Sequence, residues 1–337
     1  MVRVSFLIAV FTGFLVTAIG GYVVIPWLRK LKYGQTINEI GPTWHQTKQG
    51  TPTMGGIMFI IGTLAGVVGG YSLLLSNEKV FMDVIYQNQS ISLFISVVTA
   101  LAFGLIGFID DYIKVVKKRN LGLTEKQKLV MQFAVTIAFL LAQHLIGHLS
   151  TIVTIPFWGT YDLGIIYYPI VFLGISFMVN AVNLTDGIDG LCSSVTFVVA
   201  IGFLLISATF GYYSNAMFAC ALAGSLVGFL VWNFHPAKVF MGDTGSMFLG
   251  GAVVAMAWAV NRPEVLVFIG IIYTIEAVSV MIQMTYFKLT KGKRLFKMTP
   301  IHHHFEMCRW TEEKIVWTFT GVAAIFGIIS FLYMYFC

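Results

Sequence analysis

Charge is what this chain has least of. Only 11% of its 337 residues are Asp, Glu, Lys or Arg, and 58% are hydrophobic. Soluble domains carry about 25% charge, and the mean hydropathy here is +0.84. A chain with so little charge has no surface to keep it in water, so it belongs in a membrane. Period-two alternation over about ten residues, the mark of an outer-membrane barrel strand, is absent from most of it, which leaves helices as the spanning element. Cysteine is also scarce. The four are Cys192, Cys220, Cys308 and Cys337, and their spacing suits neither a zinc site nor a disulfide framework. Two lie in apolar runs, where a thiol is usually a small buried hydrophobe. Low-complexity tracts, internal repeats and a soluble domain are missing, as is the inverted repeat of a transporter. Arg3 ahead of a long apolar run resembles a signal peptide, but the run is too long and no small-residue cleavage site follows.

What the sequence does have is apolar runs. They fall at 5–28, 55–75, 91–109, 129–147, 165–182, 191–210, 216–233, 246–260, 264–287 and 315–336. A spanning helix needs about 20 such residues, so 246–260 is the weakest. The expected fold is an all-α polytopic membrane protein, one domain over 1–337, with ten transmembrane helices. Placing the 29–54 loop on the cytoplasmic side puts 18 of the 21 Lys and Arg residues in cytoplasmic loops, a strong positive-inside bias. Merging the eighth and ninth runs would move seven basic residues of 288–314 outside. Ten helices with both termini extracytoplasmic is therefore the expectation. The alternating Thr151-Ile-Val-Thr-Ile155, followed by Trp158-Gly-Thr160, predicts a small extracytoplasmic hairpin near 150–164.

Five polar islands interrupt the runs, and this topology brings their acids to one face at helix ends. Lys48-Gln-Gly-Thr-Pro-Thr-Met-Gly-Gly56 is either an ordinary turn or a set of backbone N–H groups offered to an anion at a helix start. Asp110-Asp111 are adjacent carboxylates that repel unless a cation sits between them. Mg²⁺, which takes carboxylate and phosphate oxygens, is one candidate; pairing to Lys114 and the Lys117-Lys118-Arg119 run is the other. Asn180-Ala-Val-Asn-Leu-Thr-Asp-Gly-Ile-Asp-Gly190 places Asn180 with Asn183, and Asp186 with Asp189, three apart, on one face if helical. Carboxylates at a membrane face are costly and by default functional. In Asn233-Phe-His-Pro-Ala-Lys-Val-Phe-Met-Gly-Asp-Thr-Gly-Ser246, Asp243 reads equally as a helix cap or a metal ligand. His302-His-His-Phe-Glu306 sits in a basic loop, where imidazoles suit phosphate better than zinc.

Thr51-Pro-Thr-Met-Gly-Gly56, Asp110-Asp111, Asn180–Leu191, Phe240–Ser246 and His302–Glu306, in this order, resemble the motifs of the MraY family, the phospho-N-acetylmuramoyl-pentapeptide transferases of bacterial peptidoglycan synthesis. That family lies within the polyprenyl-phosphate N-acetylhexosamine-1-phosphate transferases. The resemblance implies ten helices, a bacterial cytoplasmic-membrane location, an active site on the cytoplasmic face and a homodimer. It implies transfer of phospho-MurNAc-pentapeptide from UDP-MurNAc-pentapeptide to undecaprenyl phosphate, giving lipid I and UMP, with Mg²⁺ required and no nucleic-acid partner. By motif, Asp243 is the implied metal ligand, with Asp110 and Asp111 as paired acids beside it. Asn180, Asn183, Asp186 and Asp189 fall on the nucleotide and metal side, and Lys48 and Thr53 on the uridine-diphosphate side. His302 and His303 are implied catalytic residues and His304 a substrate contact, all on the phosphate side. Lys114 and one of Lys126 and Lys128 complete the basic surroundings. On this reading Asp110 positions and deprotonates the lipid phosphate, and the rival is a phospho-enzyme formed on an Asp.

Two other readings stand beside this one. A sister transferase acting on GlcNAc-1-phosphate shares the metal chemistry, and the His-His-His-Phe-Glu motif argues against it. A secondary transporter would bind near the membrane midplane, whereas here only Glu276 lies mid-span.

Overall fold

The computed structural model describes residues 2–30, 48, 50–76, 84–116, 122–147, 149–155 and 158–336. The basic run Lys117-Lys118-Arg119 lies outside them. Twelve helices are described: α1 (Val2–Lys30), α2 (Gly56–Leu75), α3 (Val84–Val116), α4 (Glu125–Leu145), α5 (Tyr167–Thr185), α6 (Leu191–Thr209), α7 (Tyr213–Asn233), α8 (Gly242–Ala259), α9 (Leu266–Ile269), α10 (Ile271–Leu289), α11 (Ile301–Met307) and α12 (Glu312–Phe336). The predicted hairpin forms between α4 and α5. Strand β1 (Ile152–Ile155) pairs antiparallel with β2 (Gly159–Asp162), Ile152 opposite Asp162 and Ile155 opposite Gly159.

Eight of these helices are long and apolar enough to cross a membrane, and a bent pair brings the number to at most nine among the described residues. The chain is a multi-pass membrane protein. The weakest run, 246–260, lies inside α8. This helix has 18 residues, about 27 Å at 1.5 Å per residue, but its glycines and polar first turn keep it below the composition of a lipid-facing span. Its packing gives the reason. Every residue from Thr244 to Ala259 is buried, against α3, α5, α2 and α6, so none of them needs to suit lipid. By contrast α1 turns Phe11, Leu15 and Ile19 outward, spaced four apart, as a helix does with one face to hydrocarbon.

The expected single helix over 264–287 is broken. Residues Pro263–Ile269 and Ile271–Leu289 meet at a bend of 76°. Gly270 is the hinge, and a side chain there would meet the Leu266 carbonyl at 2.7 Å and Met178 at 2.8 Å. Sharp bends at glycine are a recurrent exception to smooth helix curvature. A second glycine brings α3 and α8 together. A Cβ on Gly107 would run into the Asp243 carbonyl, so only glycine lets α3 lie flat against the first turn of α8.

Candidate active site

Four chain segments converge at one end of the bundle. The stretch before α2 pairs with the stretch before α8: Phe240 N–H donates to the Pro52 carbonyl at 2.9 Å, Gly55 N–H to Phe240 O at 2.8 Å and Gly56 N–H to Met241 O at 3.0 Å. The turn reading of Lys48–Gly56 therefore describes this segment. The N–H groups of Gly55 and Gly56, at the start of α2, are committed to backbone carbonyls and are not offered to an anion. Their effect is to hold Thr53 beside Gly242 and Asp111.

Around that seam stand Asp110, Asp111 and Asp243, each with a carboxylate oxygen within 4.8 Å of the others. Asp110 and Asp111 lie on the last turns of α3 and are 1% and 3% exposed. Asp243 is in the first turn of α8, where a negative charge is favoured by the helix dipole. Two ammonium groups hold the trio together. Lys114 Nζ lies 2.6 Å from Asp110 Oδ2, 3.8 Å from Asp111 Oδ1 and 2.8 Å from Asp243 Oδ2. Lys128 Nζ lies 3.1 Å from Asp110 Oδ2 and 2.8 Å from Asp243 Oδ2. Lys128 is thus the member of the Lys126/Lys128 pair that reaches the acids, and Lys126 is exposed on the first turn of α4.

The remaining oxygens are also engaged. Leu123 N–H donates to Asp110 Oδ1 at 2.7 Å. Thr244 donates its N–H and hydroxyl to Asp111 Oδ2 at 2.9 and 2.7 Å. Asn183 Nδ2 donates to Asp243 Oδ1 at 2.9 Å and to Ser246 Oγ at 2.7 Å. Asn180 does not join this set. It exchanges two hydrogen bonds with Gln132 on α4, at 2.7 and 3.2 Å, and Gln132 escaped sequence reasoning because it looks like any helix-surface amide.

Asp186 and Asp189 do not share a helix face, because α5 ends at Thr185 and both lie in the turn before α6. Burial first, then the charges of Asp243, Asp111 and Asp189, raise the half-buried Asp186 carboxyl from 3.8 to about 8. Asp189 faces a second group. Lys48 Nζ is 2.7 Å from both Asp189 Oδ1 and Glu312 Oε2. His235 Nδ1 is 3.1 Å from Asp189 Oδ2, Ala237 N–H donates to that oxygen at 2.9 Å, and Asp189 N–H donates to Glu312 Oε2 at 3.1 Å. His235 falls in the fourth polar island without a role assigned to it, and Glu312 carries no local signal, because an acid at the start of the last helix looks like any helix-start acid.

The three histidines diverge. His302 is fully buried, its Nδ1 3.1 Å from Glu276 Oε2, and its ring lies against Gly187. His303 Nδ1 is 2.6 Å from Glu306 Oε2. His304 turns into its own loop, where its Nδ1 accepts the Lys297 N–H at 3.1 Å.

Buried paired acids bridged by lysines, at one end of a bundle of helices apolar enough to cross a membrane, give the charged centre that a membrane enzyme acting on anions would need. Comparison with known proteins agrees. A family model for glycosyl transferase family 4 matches residues 93–261, and a phospho-N-acetylmuramoyl-pentapeptide-transferase signature matches residues 48–60. A phospho-N-acetylmuramoyl-pentapeptide-transferase of Halalkalibacterium halodurans is 44% identical over 96% of this chain and 96% of its own length. Proteins of the same name from Clostridium perfringens and Listeria monocytogenes are 43% and 44% identical, over 98% and 94% of this chain and 97% and 94% of their own lengths. The chain belongs to the phospho-N-acetylmuramoyl-pentapeptide-transferase family.

Proposed function

We propose that the chain transfers phospho-MurNAc-pentapeptide from UDP-MurNAc-pentapeptide to undecaprenyl phosphate, giving lipid I and UMP for peptidoglycan synthesis. A lipid-phosphate oxygen forms a bond to the sugar-linked phosphorus, and the bond from that phosphorus to the UMP oxygen breaks. The observation that carries this reading is the set of three carboxylates within 4.8 Å of one another, bridged by Lys114 and Lys128, in a chain with full-length relatives of that name.

Both reactants are anions, so charge is the main barrier, and such transfers are driven by positioning and neutralisation. Lys114 and Lys128 supply two positive charges on flexible stems at the half-open side of the acids, their side chains 34% and 25% exposed. The oxygen-only donor set of Asp110, Asp111 and Asp243 fits Mg²⁺, a hard cation. Asp243 is the most accessible of the three, at 18% against 1% and 4%, which supports it as the ligand, with Asp111 and Asp110 beside it. Bound there, the ion would neutralise diphosphate charge. Asp110 has one oxygen on the Leu123 N–H and the other beside both lysines, so it holds the two ammonium groups in place. Asn183 fixes Asp243 in orientation.

The same reading takes α8 and the bent α9–α10 pair as spans beside the eight others, giving ten helices in one transferase domain. Its support is the length of α8 and the placement of 18 of 21 basic residues on one side. That distribution also supports extracytoplasmic termini and a cytoplasmic-face site in a bacterial plasma membrane. A homodimer follows from the family resemblance. The test is a coupled assay on the purified chain: UMP release and a lipid-linked MurNAc-pentapeptide, formed together and only with both substrates present. Lipid-linked GlcNAc formed from UDP-GlcNAc in their place would instead support the sister activity.

A further inference from the structure

Glu276 is a carboxylate in the interior of α10, wholly buried, and it touches none of the three clustered acids. A buried ionisable group is costly unless paired. Its partner is the histidine segment. His302 backbone N–H donates to Glu276 Oε2 at 3.4 Å, and the imidazole Nδ1 stands 3.1 Å from the same oxygen. One heptad along the same face of α10, Gln283 does a parallel job. Its Oε1 accepts the Leu295 and Phe296 N–H groups, both at 3.0 Å, and its Nε2 donates to the Phe296 carbonyl at 3.1 Å. Thus α10 carries a polar stripe that fastens the loop ending in α11.

The other edge of the His302 ring meets the turn that carries Asp186 and Asp189. A methyl group on Gly187 would run into Nε2 and Cε1 of the ring. Neither ring nitrogen has a hydrogen-bond partner among the described residues, so Glu276 fastens the residue through its backbone N–H, stands beside the ring at 3.1 Å, and leaves the ring fixed by packing against Gly187.

We infer that Glu276 and His302 form a buried strut that sets the Asp186–Gly190 turn, making Glu276 a positioning residue for the nucleotide donor. The strut acts through Gly187 on Asp186 and Asp189, the two carboxylates flanking that glycine. The donor part rests on the function proposed above; the strut itself does not.

The experiment has two arms on the full-length chain. Hydrogen exchange compares wild type with Glu276→Leu, which removes both acceptor oxygens at similar volume, and Glu276→Gln, which keeps one. Amides of Asp186, Asp189 and Leu191, bonded in the turn, should exchange faster in Glu276→Leu together with 301–307. Glu276→Gln should stay closer to wild type. Gly187→Ala pushes the strut from the other side and should loosen the same segments, which keeps the test alive if the Leu variant does not fold. Steady-state kinetics then varies each substrate alone. The donor KM should rise about tenfold or more, with the acceptor KM unchanged. Unaltered exchange of 183–191, or loosening spread over all helices, overturns the strut. Both KM values rising together, or a smaller active fraction with both KM values intact, overturns its role in donor binding. A wild-type chain that turns nothing over defeats the proposed function and leaves the exchange result to decide the strut.

Discussion

Lys128 and Asp243 face each other at 2.8 Å, tying the first turn of α4 to the first turn of α8. The same ammonium reaches Asp110 at 3.1 Å, so one side chain from a half-exposed helix start bridges two of the three clustered acids. Lys128→Ala should lower kcat/KM by about 10²-fold, the scale for losing one preorganised charge partner in a site of this kind. Lys126→Ala should stay within about twofold of wild type, as for an exposed substitution. Turnover of both variants under identical magnesium checks the pair, and equal losses would contradict the geometry.

Asp186 makes the fold sensitive to pH in the absence of cations. Its folded carboxyl is raised from 3.8 to about 8, by burial and then by Asp243, Asp111 and Asp189. The folded state therefore holds this proton more tightly than the unfolded chain. Stability from this group is whole below the unfolded value and is lost as pH rises to about 8. Asp186→Asn removes the loss. Its thermal midpoint in metal-free buffer should exceed that of wild type by a margin that grows from pH 6 to about pH 8 and then levels. A margin independent of pH would show that the carboxyl is not held protonated.

Lys48 stands between two acids, 2.7 Å from each. Lys48→Met leaves Asp189 and Glu312 facing each other, and breaking a buried pair from one side costs about 3–5 kcal/mol. Adding Glu312→Gln removes the repulsion. The double variant should be more stable than Lys48→Met alone, with a coupling of about 0.5–3 kcal/mol. Denaturation of the two single variants and the double variant measures it, and simple additivity would refute the contact.

Gly107→Ala places a methyl group against the Asp243 carbonyl. Backbone cannot rotate away, so the cost should reach or exceed the usual 1–3 kcal/mol or so of overpacking, and it should displace Asp243. A lower thermal midpoint with a raised magnesium requirement is expected. A variant with wild-type stability and metal response would place α3 and α8 further apart than described.

The larger elements were legible because single-stretch chemistry encodes them. Nine of the ten apolar runs each fall in one helix and only 264–287 is split, and the alternation in Thr151–Ile155 with the turn at Trp158-Gly159 gave the hairpin directly. The meeting of Asp110, Asp111 and Asp243 followed from topology, since charge bias placed all three at one end. What stayed hidden depends on pairing across the chain. Lys126 and Lys128 are equivalent as a pattern; two apart on a helix they face nearly opposite ways, and only the packing of α4 decides that Lys128 is the one turned to the acids. Asn180 and Asn183 share a helix face by spacing, yet α4 claims the first and α8 the second. The glycines before α2 looked like an anion cradle because the strand-like seam to Phe240–Met241 is formed by residues about 185 positions away. Glu276 had no local partner because its partner is His302, beyond the end of its helix. The bend at Gly270 was masked by uniform apolarity, which carries no information on direction.

The central claim is that Asp243, with Asp110, Asp111, Lys114 and Lys128, forms the catalytic centre for phosphosugar transfer. The most direct measurement is turnover of UDP-MurNAc-pentapeptide with undecaprenyl phosphate, titrated with Mg²⁺, by the wild-type chain and by Asp243→Asn. The amide keeps the shape but loses the charge and one of the two acceptor oxygens, so it can accept from Asn183 or from the two lysines but not from both. The account predicts magnesium-dependent lipid I and UMP from wild type, and a loss of about 10²-fold or more per folded molecule in Asp243→Asn. Wild-type turnover that ignores magnesium, or an Asp243→Asn variant with normal turnover and normal magnesium dependence, would contradict it.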